Sequence, residues 1–402
     1  MSIPSRLHSA LAEARANTDA LFGVVQPGSL YDRPIAERHR IVFYLGHLEA
    51  FDWNLLREPL GVEPFHPSLD RRFAFGIDPP VGQAPQDQPS DWPSLEEVRA
   101  YRRGVRDRVD AAIDRAPEQL LHVAVEHRLM HAETFTYMLH NLPQEAKIPP
   151  QTEAVRAGAP PEAGYIEIPA GKATLGRRFE DGFGWDNEFH EHQADVPAFT
   201  ISKYKVTNGE FLRFVREGGS PPHFWTERNG EWFYKGMFDE IPLPLDWPVY
   251  VTRDQAAAYC AWAGKSLPTE AQYHRAAFGS AEGGERSFPW GEERPGPAQG
   301  NFDFAHWDPL PVTATPAGDS AFGVSQLAGN GWEWTSTIFE PFPGFERFPF
   351  YPGYSANFFD GSHYVIKGGS ARTAAPLLRR SFRNWFRSDY PYVYAGFRTV
   401  EN

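Results

Sequence analysis

The chain has 402 residues, of which 41% are hydrophobic and 15% aromatic, so it can form packed cores and is too apolar for a disordered protein. Its formal net charge of −13 offers no positive surface to nucleic acid or to an anionic membrane, and neither is expected as a partner. Cys260 is the only cysteine, which excludes an intrachain disulfide and a cysteine-built metal cluster.

The sequence begins with a polar, alanine-rich pattern rather than a signal peptide, and no run of about 18 apolar residues is present to span a membrane. We therefore expect a cytoplasmic protein. Its length favours two domains over one.

The first 143 residues show the three- and four-residue spacing of amphipathic helices. Pro34 precedes the second stripe and suits a first helical turn. Ser94 and Glu97 form a capping box at the start of the third. The apolar stripes cover residues 7–21, 41–55, 98–113 and 117–138. Four such helices predict a bundle.

Two segments lack this periodicity. Residues 63–93 are rich in proline and predicted to be irregular, and their length suggests a functional loop. Residues 144–164 are rich in Pro, Ala and Gly and are predicted to be the linker between domains.

The second half, residues 165–402, contains most of the tryptophans among glycine-rich turns and short β-branched runs. Two short helices are predicted, after Thr207 and after Thr252, and short strands at 165–168 and 364–366. This pattern predicts an α+β domain held together by buried aromatic side chains, among them Trp332 and Trp334.

Three of the 14 histidines have a spacing that suits a metal site. His127 and His131 are four residues apart in the fourth predicted helix, so their imidazoles lie on one face, about 40° apart. His47 lies in an apolar stretch of the second helix, where an unpaired imidazole is costly to bury. A metal ion would satisfy all three and keep coordination positions open, as catalysis requires. Imidazole alone does not choose between zinc, iron, copper and nickel.

The same His-x-x-x-His spacing is common on solvated helix faces, which is the alternative to a metal site. Glu133 points about 200° away from His131 and is a poor ligand, so we expect it to orient a neighbouring group. His39, His122 and His140 are interpreted as ordinary surface or packing residues.

At these residues the first half resembles the DinB-type iron-binding domain of the ergothioneine-type sulfoxide synthases. That family has one histidine followed by the pattern His-x-x-x-His-x-Glu, which matches the segments 46–49 and 127–134 here. The resemblance implies a helical bundle in which His47, His127 and His131 hold Fe(II).

The second half resembles the domain that this family pairs with it, the formylglycine-generating-enzyme or sulfatase-modifying-factor domain, which has a C-type-lectin-like α+β fold. The matching segments are 182–188, 205–211, 261–270, 329–335, 367–370, 381–385 and 395–398. The resemblance therefore covers nearly the whole chain.

Such enzymes use O2 to join sulfur, or in a related branch selenium, to the imidazole C2 of hercynine. The resemblance implies that the segment with Asn384, Trp385 and Phe386 lines the substrate site, which in the family lies between the two domains. An amide suits the imidazole or carboxylate of hercynine, and an indole face attracts its quaternary ammonium group. Core packing is the alternative role for Trp385.

Three departures from the family bear on the second substrate. Enzymes that use γ-glutamylcysteine have an aspartate where Phe386 stands, and an arginine pair in the loop that matches residues 75–88, which contains no arginine here. A donor site with so few charged residues fits a neutral sugar-like donor better than a charged dipeptide. The family's proposed catalytic tyrosine aligns with Phe342, so another group, such as Tyr351 or Tyr354, would have to deliver the proton.

These departures favour the selenoneine-synthase branch, which takes a 1-selenosugar as donor. The alternative within the family is a hercynine sulfoxide synthase that uses γ-glutamylcysteine or cysteine. Formylglycine generation is rejected because it needs paired cysteines and Cys260 is alone. A zinc-dependent DinB-type thiol transferase and a non-enzymatic binding module remain as competing hypotheses.

Overall fold

The computed structural model describes residues 3–74, 84–151 and 158–401. The chain divides into two compact units, Met1–Thr152 and Glu153–Asn402. The first is helical and the second mixes helices with small sheets, so the predicted fold class is confirmed. Residues 152–157 of the predicted linker and 75–83 of the predicted loop lie outside the described residues.

Four long helices of the N-terminal unit match the four predicted stripes. The helices of this unit are α1 (Ile3–Gly23), α2 (Ile41–Leu56), α3 (Pro67–Arg72), α4 (Leu95–Asp110) and α5 (Glu118–His140). The short helix α3 lies in the segment 63–93, so the prediction that this segment is irregular throughout is wrong. Pro34 does not open α2, because a turn closed by a hydrogen bond from Arg38 N to Ile35 O comes first.

Two of these helices, α2 and α5, form the interior of the N-terminal unit. All but three of the 16 residues of α2 are buried, as are most of those of α5. A helix that is buried on nearly every side brings its polar residues into the core as well. No helix of the described ranges combines the length and apolar character needed to cross a membrane.

The capping box predicted at the start of α4 is confirmed. Ser94 Oγ accepts a hydrogen bond from the backbone of Glu97, and the Glu97 carboxylate accepts one from the backbone of Ser94 at 2.8 Å. This satisfies two amides that a helix start leaves unpaired, and such a cap stabilises a helix by about 1 kcal/mol. Downstream of the cap, Val98, Val105 and Val109 face the core.

The C-terminal unit has three helices of nine to 11 residues: α6 (Asn208–Arg216), α7 (Arg253–Ala263) and α8 (Glu270–Phe278). The first two were predicted and their capping threonines, Thr207 and Thr252, are confirmed. Helix α8 was missed, although Thr269 caps it in the same way. Helix α6 is equally short but has a clear apolar stripe, whereas polar and apolar residues are more evenly mixed around α8, so its helical period is weak.

The strands of this unit are short and form several small sheets. They are β1 (Tyr165–Ile168), β2 (Gly171–Leu175), β3 (His192–Val196), β4 (Phe199–Ser202), β5 (Trp225–Arg228), β6 (Glu231–Lys235), β7 (Glu240–Pro242), β8 (Trp332–Ile338), β9 (His363–Lys367), β10 (Asn384–Arg387), β11 (Ala395–Gly396) and β12 (Val400–Glu401). The largest sheet has the order β10-β9-β8-β11, with β10 at its edge and antiparallel to β9. The two strands predicted from the sequence are β1 and the centre of β9.

Buried aromatic residues hold the C-terminal unit together, as predicted. Trp332 and Trp334 on β8 are 2% and 0% exposed, and Trp334 donates its indole hydrogen to the Val251 carbonyl at 2.8 Å. Trp185 stacks on Tyr354 with ring centroids 4.0 Å apart. Burial of rings this large compensates for the small size of the individual sheets.

Candidate metal centre

Three buried histidines of the N-terminal unit lie together between α2 and α5. His47 comes from the middle of α2, and His127 and His131 are one turn apart on α5. Each is at most 4% exposed, and one ring nitrogen from each lies within 4.8 Å of the other two. The tertiary structure therefore brings together the three residues predicted as ligands. The alternative of a solvated helix face does not apply to buried side chains.

Aromatic rings enclose the three imidazoles. Phe43 stacks on His47 with centroids 4.9 Å apart, and Phe51 stacks on His127 with centroids 3.4 Å apart. The ring centroids of His127 and His131 are 4.4 Å apart. These apolar walls restrict water and fix the orientation of the rings, which a preorganised metal site requires.

The backbone fixes the tautomer of His47. Its Nδ1 lies 2.7 Å from the carbonyl oxygen of Phe73. A carbonyl only accepts hydrogen bonds, so Nδ1 carries the proton and Nε2 keeps its lone pair. Metal-ligating histidines commonly have such a hydrogen bond on the opposite nitrogen.

Burial keeps all three imidazoles neutral at physiological pH. Loss of solvation lowers the pKa of His47 to about 4, and lowers the pKa of His127 and His131 well below the usual 6.5. The neighbouring imidazoles and Arg128 lower these pKa values further. Only the neutral ring has a lone pair to donate to a metal.

The donor set fits a metal ion. Within the described part of the chain, His47 Nε2 and both ring nitrogens of His131 have no hydrogen-bond partner although they are buried. Buried polar atoms are normally satisfied, so these nitrogens point to a ligand. Three neutral nitrogens would leave coordination positions for substrates on zinc, iron, copper or nickel.

The other polar residues named from the sequence lie outside this group. Glu133 is buried in α5 but is not among the three clustered side chains. His39 is half-buried and packs against Phe43 with the two rings tilted, His122 lies 3.9 Å from Glu118, and His140 is buried at the end of α5.

A buried ion cluster beside the histidines was not predicted. Arg128, next to His127, lies between Glu49 and Asp52 of α2, and all three side chains are fully buried. The sequence did contain a signal, because these charges interrupt otherwise apolar helices. Charged residues are fully buried almost only when they are paired.

The residues predicted to line the substrate site form part of β10 in the C-terminal unit, and all are half-buried. Successive side chains of a strand alternate, so Asn384 and Phe386 share one face and Trp385 lies on the other. Trp385 stacks on Phe339 with centroids 4.2 Å apart. Phe386 stacks on Tyr390 with centroids 5.1 Å apart.

Phe342, for which the resemblance predicts a catalytic tyrosine in the family, is buried in the C-terminal unit. The Arg383 guanidinium lies 3.9 Å from the centre of its ring, and His192 packs against the ring edge-on. Tyr354 packs edge-on against Trp385 with centroids 5.4 Å apart, and Tyr351 packs against Tyr354 at 5.6 Å. Tyr354 thus contacts the β10 segment through Trp385.

Two family models match the chain, one in each unit. Residues 150–402 match the sulfatase-modifying factor enzyme 1-like domain, and residues 10–140 match the DinB superfamily.

Curated relatives are similar to most of the chain. The hercynine oxygenase of Mycolicibacterium smegmatis is 34% identical over 75% of this chain and 77% of its own length. The hercynine oxygenase of Mycolicibacterium thermoresistibile is 36% identical over 76% of this chain and 74% of its own length. Ergothioneine biosynthesis protein 1 of Neurospora crassa is 28% identical over 93% of this chain, which spans only 55% of that relative.

Proposed function

Because the chain belongs to the ergothioneine-type sulfoxide synthase family, in which a DinB domain precedes a sulfatase-modifying-factor domain, we propose that it is an oxidoreductase that acts on hercynine. The reaction is the Fe(II)- and O2-dependent formation of a carbon–selenium bond at imidazole C2, with a 1-selenosugar as donor. The cluster of His47, His127 and His131 carries this proposal, because it is buried, neutral and built from metal-ligand nitrogens.

The three histidines would hold Fe(II), which supplies the activation of O2. Their own contribution is to present neutral nitrogens from two helices at positions fixed by packing. The hydrogen bond from His47 Nδ1 to Phe73 sets which nitrogen points inward, and the stacked rings of Phe43 and Phe51 keep bulk water away. Both features lower the cost of ordering the site when metal and substrate bind.

Hercynine would be bound by Asn384 and Trp385. Asn384 Oδ1 accepts from the backbone of Trp385 at 2.8 Å, and the amide nitrogen of the same side chain would donate to the carboxylate or imidazole of hercynine. One face of the Trp385 indole is covered by Phe339, and the residue keeps some exposed surface for the trimethylammonium group.

Phe386 supports a selenosugar as the second substrate. It lies on the same face of β10 as Asn384, about 7 Å further along the strand, and its ring stacks on Tyr390. Arg387 and Asp389, which follow Phe386 on the chain, lie 3.7 Å apart and pair with each other. The aromatic surface of Phe386 and Tyr390 suits a sugar ring better than a zwitterionic dipeptide.

One observation supports the alternative, a sulfoxide synthase that uses a thiol. The loop 75–88 contains no arginine, but Arg33 and Arg40 reach its end and form ion pairs with Asp87 at 2.6 and 3.0 Å. Guanidinium groups bind carboxylates well, so they are candidate anchors for γ-glutamylcysteine. Asp87 already occupies both of them and also accepts from the Trp92 indole, which is why the selenosugar remains the first proposal.

The test is anaerobic reconstitution of the full chain with Fe(II), followed by O2, hercynine and one donor at a time. The donors are a 1-selenosugar, γ-glutamylcysteine and cysteine, and products are identified by mass. A carbon–selenium product from the sugar alone is expected. A sulfoxide from a thiol would establish the alternative reaction instead. If hercynine-dependent O2 consumption is absent with every donor, the proposal is wrong, and the thiol transferase and the binding module remain as the competing hypotheses.

A further inference from the structure

Arg128 is bound by two carboxylates of the neighbouring helix. Its Nη2 donates to Glu49 Oε2 at 2.9 Å and to Asp52 Oδ2 at 2.7 Å, and its Nη1 lies 3.3 Å from Glu49 Oε1. All three side chains are fully buried. We call Arg128, Glu49 and Asp52 the arginine clamp. Ion pairs to a planar guanidinium are directional, so they fix the relative position of the two helices.

The clamp lies directly beside the candidate ligands. Arg128 follows His127 on α5, and Glu49 is two residues after His47 on α2. Arg128 Nη2 also donates to the backbone carbonyl of Leu48 at 3.0 Å, which is the residue after His47. The clamp thus ties the backbone of α2 at the His47 position to the position of His127 on α5.

The clamp is also connected to the two outer helices. Glu49 Oε1 accepts from Arg106 of α4 at 2.7 Å, and Arg106 pairs with Asp19 of α1 at 2.7 Å. Arg102 also lies against Glu49, with its Nε 3.6 Å from Glu49 Oε1, so arginines of α4 add positive charge to the clamp. Glu49, surrounded by arginines, has a pKa lowered to about 2 although burial alone would raise it.

Stability alone does not explain such a cluster. Replacing a buried ion cluster by apolar side chains of similar volume is often neutral or stabilising, because desolvation of the charges offsets their attraction. What apolar side chains do not provide is direction, since they tolerate small rotations and shifts of one helix against the other. A directional clamp is useful where two helices must place ligand atoms within a few tenths of an ångström.

We propose that the arginine clamp positions the three histidines by holding α2 and α5 in one register, and so sets the affinity and geometry of the metal site. Arg128 is a positioning residue in this proposal and contacts neither metal nor substrate. The inference rests on the metal site of the proposed function.

The test compares Arg128→Lys, Arg128→Met and Asp52→Asn with the parent chain, using Co(II) as a spectroscopic probe and Fe(II) under anaerobic conditions. Arg128→Lys keeps the positive charge but loses the planar guanidinium group, and Arg128→Met loses both. Asp52→Asn removes one carboxylate. Asp110→Asn is the matched control, because it breaks the Arg15–Asp110 pair of α1 and α4 (2.6 Å) and keeps Arg15, which faces Asp52, as well as every side chain of the clamp. Circular dichroism and thermal unfolding of the metal-free chain show whether each variant folds.

We expect Arg128→Lys to fold and to raise the Kd for Co(II) by about tenfold, the size found for residues that orient metal ligands. The ligand-field spectrum at saturating Co(II) should also change, which a loss of stability alone would not cause. Asp110→Asn should keep the Kd and the spectrum of the parent chain. If Arg128→Met fails to fold, Asp52→Asn still tests the clamp, with a smaller rise in Kd expected.

The proposal is overturned if the folded clamp variants bind Co(II) and Fe(II) with the affinity and spectrum of the parent chain. In that case the cluster only stabilises the bundle, and the proposed function is unaffected. If the parent chain itself binds neither metal, the proposed function fails and the clamp inference fails with it. Metal binding by the parent chain therefore distinguishes failure of the clamp inference from failure of the proposed function.

Discussion

The Nδ1 atom of His47 lies 2.7 Å from the carbonyl oxygen of Phe73, the residue that directly follows helix α3. A short helix from the loop region thereby sets the tautomer of a histidine in the core of the bundle. The same Phe73 has its ring against Gly46, so one residue fixes both the hydrogen bond of His47 and the space beside it. The first two predictions follow from this contact.

His47→Gln and His47→Asn should differ in metal binding. Glutamine can place an oxygen near the position of Nε2, whereas asparagine places its amide near Nδ1 and keeps the hydrogen bond to Phe73. If Nε2 is the ligand atom, glutamine retains weak Fe(II) or Co(II) binding and asparagine loses it. Titration of metal into the two variants checks this. Stronger binding by the asparagine variant would contradict the assigned tautomer.

Gly46→Ala should weaken metal binding although alanine is the better helix former by about 1 kcal/mol. An added Cβ would lie 2.5 Å from ring carbons of Phe73, so that ring must move, and we expect the movement to shift the Phe73 carbonyl that accepts from His47. The Kd for Co(II) should rise severalfold. Gly23→Ala is the control, because its Cβ would meet no atom within 4 Å. Equal affinities for both variants would show that Phe73 adjusts freely.

Trp385→Leu should raise the KM for hercynine by about tenfold, since a desolvated cation–π contact contributes up to about 2 kcal/mol. Trp385→Phe should have a smaller effect because it keeps an aromatic face. The KM for histidine, which lacks the methylated cation, should change little in either variant. Trp262→Leu is the control, since Trp262 is 41% exposed on α7. An unchanged KM for hercynine would assign Trp385 to packing.

Phe386→Asp should shift donor use towards γ-glutamylcysteine. A carboxylate on the Asn384 face of β10 can form a charge-assisted hydrogen bond to the ammonium group of the dipeptide, worth about 1.5–3 kcal/mol. The ratio of kcat/KM for the thiol to that for the selenosugar should rise at least tenfold. Phe386→Leu removes the ring without adding charge and should not raise the ratio. An equal increase in both variants would attribute specificity to the ring.

The C-terminal unit should lose stability in acid through Glu188. Burial alone would raise the pKa of this carboxyl, but the ion pair with Arg379 and the hydrogen bond from Ser381 hold it below the usual 4.5. The stabilisation is therefore present above pH 4.5 and is lost as the pH falls through the lower pKa of the folded state.

Glu188→Gln should cost about 1.5–3 kcal/mol at neutral pH, because charge-assisted hydrogen bonds are lost, and should flatten the decline of Tm below pH 4.5. Asp195→Asn, in an exposed pair with Lys172, should leave the decline as it is. Thermal unfolding between pH 7 and 3 measures both. A Tm curve of Glu188→Gln parallel to that of the parent would contradict the assignment.

The sequence determined the features that depend on neighbours along one helix or strand. The spacing of His127 and His131 predicts their shared face, because an α-helix returns to the same side after four residues. The capping boxes at Ser94, Thr207 and Thr252 are equally local, since each is a contact over three residues. The division into a helical and a mixed half followed from the change of apolar period.

Only the tertiary structure determined which residues of different helices and loops contact each other. The pairing of Arg128 with Glu49, the hydrogen bond from His47 to Phe73, and the approach of Arg33 to Asp87 join residues 26 to 79 positions apart. Local periodicity contains no information on these contacts, because they depend on how helices pack and turn. A fragment such as α3 was likewise missed, since six residues make too short a pattern. A charged residue in an apolar helix predicts that it has a partner in the core, but only the packing of the helices determines which residue that partner is.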